Sequence, residues 1–345
     1  MFISGSGGLY SVRLPLAQLS QAELDEWLLT LAKQGISRPH RAIEAIYPLT
    51  SMQQGLLFHS TYAPDSGVYI EQFQLTLNDV INVDAFQQSC QHLVTHHSVL
   101  RTCFIWERSQ PLQVILKSVK LPWQSYDWQH LSIADQQQQL QQWLQQDRQA
   151  GFDVSEAPLT RFTLIQLGPQ RYQFIWTFHH VLLDGWSLPI LMQELLNSYE
   201  ATVQGQSYRA VYRRPYQDYV AWLLQQDKSQ AESYWRQQLA GFTAPTSLPI
   251  QRVRTASPKD FAGEYHEQVH CLSAELTAAV QSWQRRQRLS LATVIYGVWG
   301  MLLSRYSGET DVVFGVTVSG RSVPLTGIEE MVGLLINTPA TAGEA

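Results

Sequence analysis

Tyr172-Gln-Phe-Ile-Trp-Thr-Phe178, followed directly by His179-His180-Val-Leu-Leu-Asp184-Gly185-Trp186-Ser187, carries more information than any other part of this chain. The first seven residues read as a buried strand. A helical pattern begins near Ser187. Two imidazoles, a carboxylate and a glycine therefore stand where a strand ends and a helix begins. A rigid strand can fix a ring there, and the loop supplies backbone N–H groups. Neighbouring strand residues point to opposite faces, so His179 and His180 cannot share one cavity; one is expected to be reactive and the other structural. Asp184 is close enough to fold back onto the pair. Gly185 lets the backbone approach a ligand or adopt a conformation closed to other residues. Two satisfied core histidines before an Asp-Gly turn are the plain alternative, and the whole string at a strand end outweighs it.

Outward from this stretch, strands and helices alternate. Arg161–Leu167 and Tyr172–Phe178 pair around Gly168-Pro169-Gln170 as a hairpin. Val68–Leu77 and Val99–Trp106 read as strands and Val83–Val94 as a helix. The glutamine-rich run Asp135–Gln149 keeps one apolar stripe at Leu140, Trp143 and Leu144, which marks a surface helix. Helices follow near Leu188–Tyr199, Tyr216–Gln226 and Ala231–Leu239. Beyond a Pro/Thr/Ser-rich linker come a strand at Glu264–Leu272, helices near Ala274–Arg286 and Leu291–Tyr306, and a β-prone run at Asp311–Ser319. Ahead of all these, Leu24, Trp27, Leu28 and Leu31 form a helical stripe behind a cap at Ser20.

The 345 residues exceed one comfortable core and point to two lobes. With 24 basic against 29 acidic side chains, no basic stripe suggests a nucleic-acid partner. Cys90, Cys103 and Cys271 are odd in number and far apart, which fits a reducing compartment. No Cys/His spacing reads as a zinc site, so no metal is expected. No run reaches the length of a membrane span and no signal peptide is read, so the expected location is the cytoplasm.

His179-His180-x-x-x-Asp184-Gly185 resembles the His-His-x-x-x-Asp-Gly signature of nonribosomal peptide synthetase condensation domains. Four further segments match in the family's order: Tyr47–His59, His97–Phe104, Tyr216–Trp222 and Val332–Thr338. The resemblance covers roughly Ile46 to Ala342. It implies an α/β fold like chloramphenicol acetyltransferase, two related lobes in a V-shaped pseudo-dimer with a central tunnel. The expected division is a flexible N-terminus and carrier-to-condensation linker at 1–45, an N-terminal lobe at 46–243, a linker at 244–258 and a C-terminal lobe at 259–345. Two later family motifs are not found after Asn337-Thr338. The second lobe is therefore expected to be incomplete, and the chain alone to be poorly soluble and nearly inactive.

The implied reaction is peptide-bond formation between an acyl or peptidyl thioester and an aminoacyl thioester. Both ride on phosphopantetheine arms of carrier domains, upstream donor and downstream acceptor, with an adenylation domain in the same assembly line. No cofactor bound by the domain itself is implied. His180 is the candidate base or orienting group, since a neutral imidazole accepts a proton near pH 7. His179 is its structural partner. Asp184 either activates His180 as in a triad or pairs with Arg101, and the family pattern favours Arg101. Gly185 N–H is a candidate oxyanion donor. Trp186, Ser187 and Asn337 are expected in the tunnel, ordinary packing being equally open for Trp186. Asp-Gly-Trp-Ser-Leu-Pro after the histidines departs from the epimerisation pattern, and both histidines depart from the heterocyclisation one. Ordinary condensation with an L-configured donor is the reading. The alternatives are a non-catalytic carrier-docking module and a stand-alone thioester-dependent acyltransferase.

Overall fold

The structure, a computed structural model, describes residues 16–17, 19–33, 39–62, 67–106, 110–248 and 268–344. The elements run α1 Gln21–Lys33, α2 Pro39–Ala42, β1 Ile43–Pro48, α3 Ser51–Tyr62, β2 Ile70–Leu77, α4 Val83–His96, β3 Thr102–Ile105, β4 Leu112–Leu116 and β5 Trp123–Asp127. They continue with α5 Ile133–Ala150, β6 Thr160–Gly168, β7 Arg171–His179, α6 Ser187–Val203, α7 Tyr216–Leu224, α8 Lys228–Gln238, α9 Ala274–Gln287, α10 Leu291–Ser307, β8 Asp311–Gly315 and β9 Ala340–Glu344. The chain divides into two compact units, Met1–Gln226 with Ser319–Ile336, and Asp227–Val318 with Asn337–Ala345.

This division differs from the expected one. The cut falls after Gln226 rather than at 243, and Ser319–Ile336, expected in the second lobe, belongs to the first unit. The reason is burial. Ile328, Met331, Val332 and Leu335 join the core that also holds Trp176, Phe178 and Leu183. Sequence order assigns such a segment to its neighbours; its apolar side chains assign it to the unit that covers them.

The first unit is built on a four-stranded sheet in the order β2-β7-β6-β5. β7 lies antiparallel to both β2 and β6, and β5 is parallel to β6. Every residue of β7 after Arg171 is buried, because both faces of the sheet are covered. Phe174, Trp176 and Phe178 face the main core with Phe86 of α4 and Leu191 and Leu195 of α6. Ile175 faces the other way, onto Leu140, Trp143 and Leu144, so the glutamine-rich segment is the expected surface helix. α4 begins where Asn82 caps the Ala85 N–H at 3.0 Å, and α5 where Ser132 caps Asp135. The β6–β7 hairpin forms as expected, with one irregularity between Gln166 and Gly168.

A smaller antiparallel sheet, β1-β4-β3, packs Ile43, Ile46, Val114 and Leu116 against Ala17 and Leu24 of the N-terminal segment. The helical stripe read from the sequence is therefore used, at Leu24, to cover a sheet. Arg101 sits in the 3₁₀ turn before β3, so the expected strand from Val99 is shorter.

In the second unit, Ser273 and Ser290 cap α9 and α10. The expected strand at Glu264–Leu272 is absent over residues 268–272; its first residues lie outside the described ones. The β-prone run forms a strand only over Asp311–Gly315, paired antiparallel with β9. Residues 249–258 of the expected linker also lie outside the described ones. Among the described residues, no helix is long and apolar enough to cross a membrane.

Candidate active site

The backbone at the end of β7 is pinned from two sides. His179 N–H donates to Leu159 at 3.0 Å, and His180 N–H to Tyr69 at 2.8 Å. The chain then turns through Val181–Trp186 into α6.

Hydrogen bonds assign each ring its tautomer. The Val181 N–H donates to His179 Nδ1 at 3.0 Å, so that nitrogen holds a lone pair. The ring proton therefore sits on Nε2, 3.0 Å from Ser60 Oγ. Ser60 in turn donates to the Leu56 carbonyl at 2.9 Å. His179 is 1% exposed, and burial, with a smaller contribution from His180, pushes its pKa down to about 4. It is neutral and locked at neutral pH.

His180 is the reverse case. Its Nδ1 lies 2.7 Å from the Leu183 carbonyl oxygen. A carbonyl only accepts, so Nδ1 carries the proton and the neutral ring leaves a lone pair on Nε2. The ring is partly exposed, and no described residue bonds Nε2.

Asp184 corrects the sequence reading. It does not meet Arg101. Arg321 holds its carboxylate in a fork, at 2.6 Å to Oδ2 and 2.9 Å to Oδ1. Ser187 N–H, Ser187 Oγ and Leu335 N–H supply three more hydrogen bonds at 3.0, 2.8 and 3.0 Å. Both residues of the ion pair are buried. Arg101 instead donates to Glu44 at 2.7 Å and to the Leu116 carbonyl. Both partners, Glu44 in β1 and Leu116 in β4, belong to the small sheet. A triad is excluded as well, because Leu183 already occupies His180 Nδ1.

Ser187, expected in the tunnel, is fully buried inside this network, where it also accepts the Gly333 N–H at 3.1 Å. Trp186 is 57% exposed and is not core packing. Gly185 is exposed, and a Cβ added there would meet nothing within 4 Å. The fold itself does not require glycine at that position. Its N–H bonds no described group. Asn337 belongs to the second unit, where it pairs with Val318.

Arg321 and Gly320 are residues that the sequence reading missed, and Gly333 stood in a matching motif segment without an assigned role. Gly320 has φ 68°, and a Cβ there would stand 1.8 Å from the Leu335 carbonyl oxygen. A Cβ on Gly333 would stand 2.3 Å from the Tyr216 ring, whose hydroxyl donates to Leu334 at 2.8 Å. These contacts explain two motif segments together: Tyr216 and Gly333 interlock, and the interlock holds Leu335 and Arg321 against Asp184. A Gly-Arg pair after a β-prone run was the available signal.

Comparison with known proteins gives the setting. A family model described as "Condensation domain" matches residues 43–342. A linear gramicidin synthase of Brevibacillus parabrevis is 42% identical over 334 residues, 96% of this chain. Bacitracin synthase 1 of Bacillus licheniformis is 38% identical over 300 residues, 87% of this chain. The chain spans 6% of the length of each. Among solved structures, the four-domain nonribosomal peptide synthetase holo-AB3403, bound to AMP and glycine, matches with TM-score 0.72 at 18% identity, over 91% of this chain and 23% of that one. The first condensation domain of the calcium-dependent antibiotic synthetase, in complex with a substrate analogue, matches with TM-score 0.68 at 18% identity, over 87% and 70%. The α/β class expected from the resemblance is the observed one.

Proposed function

Since the chain belongs to the condensation domain family, we propose that it joins two carrier-bound groups. An acyl or peptidyl thioester on one carrier's phosphopantetheine arm is attacked by the α-amino group of an aminoacyl thioester on another. A C–N bond forms as the C–S bond breaks. The amine's proton passes to His180 Nε2 and from there to the departing thiolate. A free α-amine has a pKa of about 7.7–8.0, so much of it is already neutral near pH 7, and a thioester is an activated acyl group. Little covalent help is needed, and holding the two reactants together supplies much of the rate. The adenylation and carrier domains of an assembly line are the partners this reading requires, and the cytoplasm is its compartment.

The observation that carries the proposal is the 2.7 Å contact between His180 Nδ1 and the Leu183 carbonyl. It leaves Nε2 as the acceptor on a partly exposed ring. The Gly185 N–H is the proposed donor to the developing oxyanion, in keeping with its open surroundings. Asp184 and Arg321 act on rigidity: they fix the loop on which both groups ride.

The test is product formation with two loaded carriers, followed by mass spectrometry of the acceptor carrier. Within a synthetase subunit that carries this domain between its carriers, His180→Ala is expected to lower the rate by roughly tenfold or more with folding retained. Parental rates from that variant would remove His180 from the mechanism. Transfer from a soluble thioester but never from a carrier-bound one would favour a stand-alone acyltransferase.

A further inference from the structure

We propose a second site: His96, His97 and Glu194 bind a divalent first-row transition metal, zinc foremost, in a polar cavity between α4 and α6. One ring nitrogen from each histidine and one carboxylate oxygen lie within 4.8 Å of one another. Among the described residues this is the single such group of metal-ligating side chains. It owes nothing to the residues assigned to the reaction.

The three ligands are already positioned by their neighbours. His97 Nε2 lies 2.6 Å from Glu194 Oε2, both side chains buried. Arg213 Nε donates to the other oxygen, Oε1, at 2.6 Å, and Arg213 is itself tied to Glu330 at 2.8 Å. Arg213 thus orients the carboxylate through Oε1 alone, and Oε2, which among the described residues meets only His97, is the oxygen available to a metal. The Arg213 charge also opposes a cation, and the Glu194 and Glu330 carboxylates offset it. His96 Nε2 lies 3.2 Å from the Val211 carbonyl, the kind of backbone contact that orients metal-bound imidazoles. On binding, the proton shared by His97 and Glu194 is released to solvent, and the two ligand atoms, 2.6 Å apart in the empty site, separate to about 3 Å around the metal.

The surroundings favour a ligand-accessible metal over a closed one. His96 and Glu194 line a cavity of about 800 Å³ together with Ser89, Thr95, Ser198 and Tyr208. Three protein ligands on one side leave coordination positions for water or a small carboxylate on the cavity side. Two imidazoles and one carboxylate suit zinc, cobalt or iron(II), not the all-oxygen shells of calcium and magnesium. The metal would also clamp the end of α4 to α6, the helix whose first residue, Ser187, bonds Asp184.

The test uses the full chain and Co²⁺ as probe, with Zn²⁺ in competition. The expected result is one equivalent bound, with tetrahedral or five-coordinate ligand-field bands that Zn²⁺ abolishes. His96→Ala removes an exposed ring, so folding is retained; the bands should vanish and affinity should fall at least tenfold. His92→Ala, in the same cavity but outside the ligand set, should bind like the parent. Glu194→Gln, checked for folding by circular dichroism, should weaken binding as His96→Ala does. No saturable Co²⁺ binding by the parent, or binding unchanged in His96→Ala, overturns the proposal.

Discussion

Two adjacent imidazoles carry their protons on different nitrogens because each meets a different backbone group. A donor, the Val181 N–H, faces His179 Nδ1, and an acceptor, the Leu183 carbonyl, faces His180 Nδ1. The pH dependence of stability follows from the first. His179 in the folded chain has its pKa lowered from 6.5 to about 4. Between those values the unfolded state binds the proton and the folded state does not, so stability falls as pH drops through that window. The full contribution stands above the upper value, and the loss is roughly 3 kcal/mol by the lower one. Urea titrations at stepped pH should show this slope in the parent and a shallower one in His179→Gln. Equal slopes would mean that His179 is not desolvated. That the two histidines meet different surroundings was legible from strand alternation. Which nitrogen each presents was not, since it depends on loop atoms two or three positions away.

At the scale of elements, the strand, the turn and the helix at Tyr172–Val203 were readable from periodicity, as were the stripes of α1 and α5. The partner of Asp184 was not. Arg321 is 137 positions away, and no local pattern encodes a pairing that only the return of Ser319–Ile336 creates. Arg101 was the nearer motif arginine, and its own carboxylate, Glu44, stands just ahead of the first motif segment. The ion pair is buried, so removing one member leaves an unmatched charge at about 3–5 kcal/mol. Asp184 keeps three other donors, which places Arg321→Met at the lower end. Denaturant titrations of Asp184→Asn, Arg321→Met and the double variant should give a double loss smaller than the sum. Arg101→Ala combined with Asp184→Asn should instead be additive, because the two residues share no partner. Additivity in the first pair, or coupling in the second, would contradict the assignment.

Across the whole molecule the two units differ in how much they bury. In the first, β6 and β7 are buried along most of their length. In the second, α8 and α9 have no buried residue and α10 only Leu303. Local opening is cheapest where few apolar contacts are broken. Hydrogen exchange should therefore be faster in α8, α9 and α10 than in β6 and β7, and uniform protection would contradict that order. The alternation of elements made the α/β class legible, while the crossing of Ser319–Ile336 into the first unit hid the division. What the first unit holds in place, by the Asp184–Arg321 pair and the pinned end of β7, is one imidazole whose Nε2 is bonded by no described residue. Long-range ¹H–¹⁵N correlation spectra of the intact chain with labelled histidine measure this directly. At neutral pH the neutral His180 should show a protonated Nδ1 and an unprotonated Nε2, with His179 reversed. A His180 protonated on Nε2 in its neutral form would contradict the account, because the base would then face the wrong way.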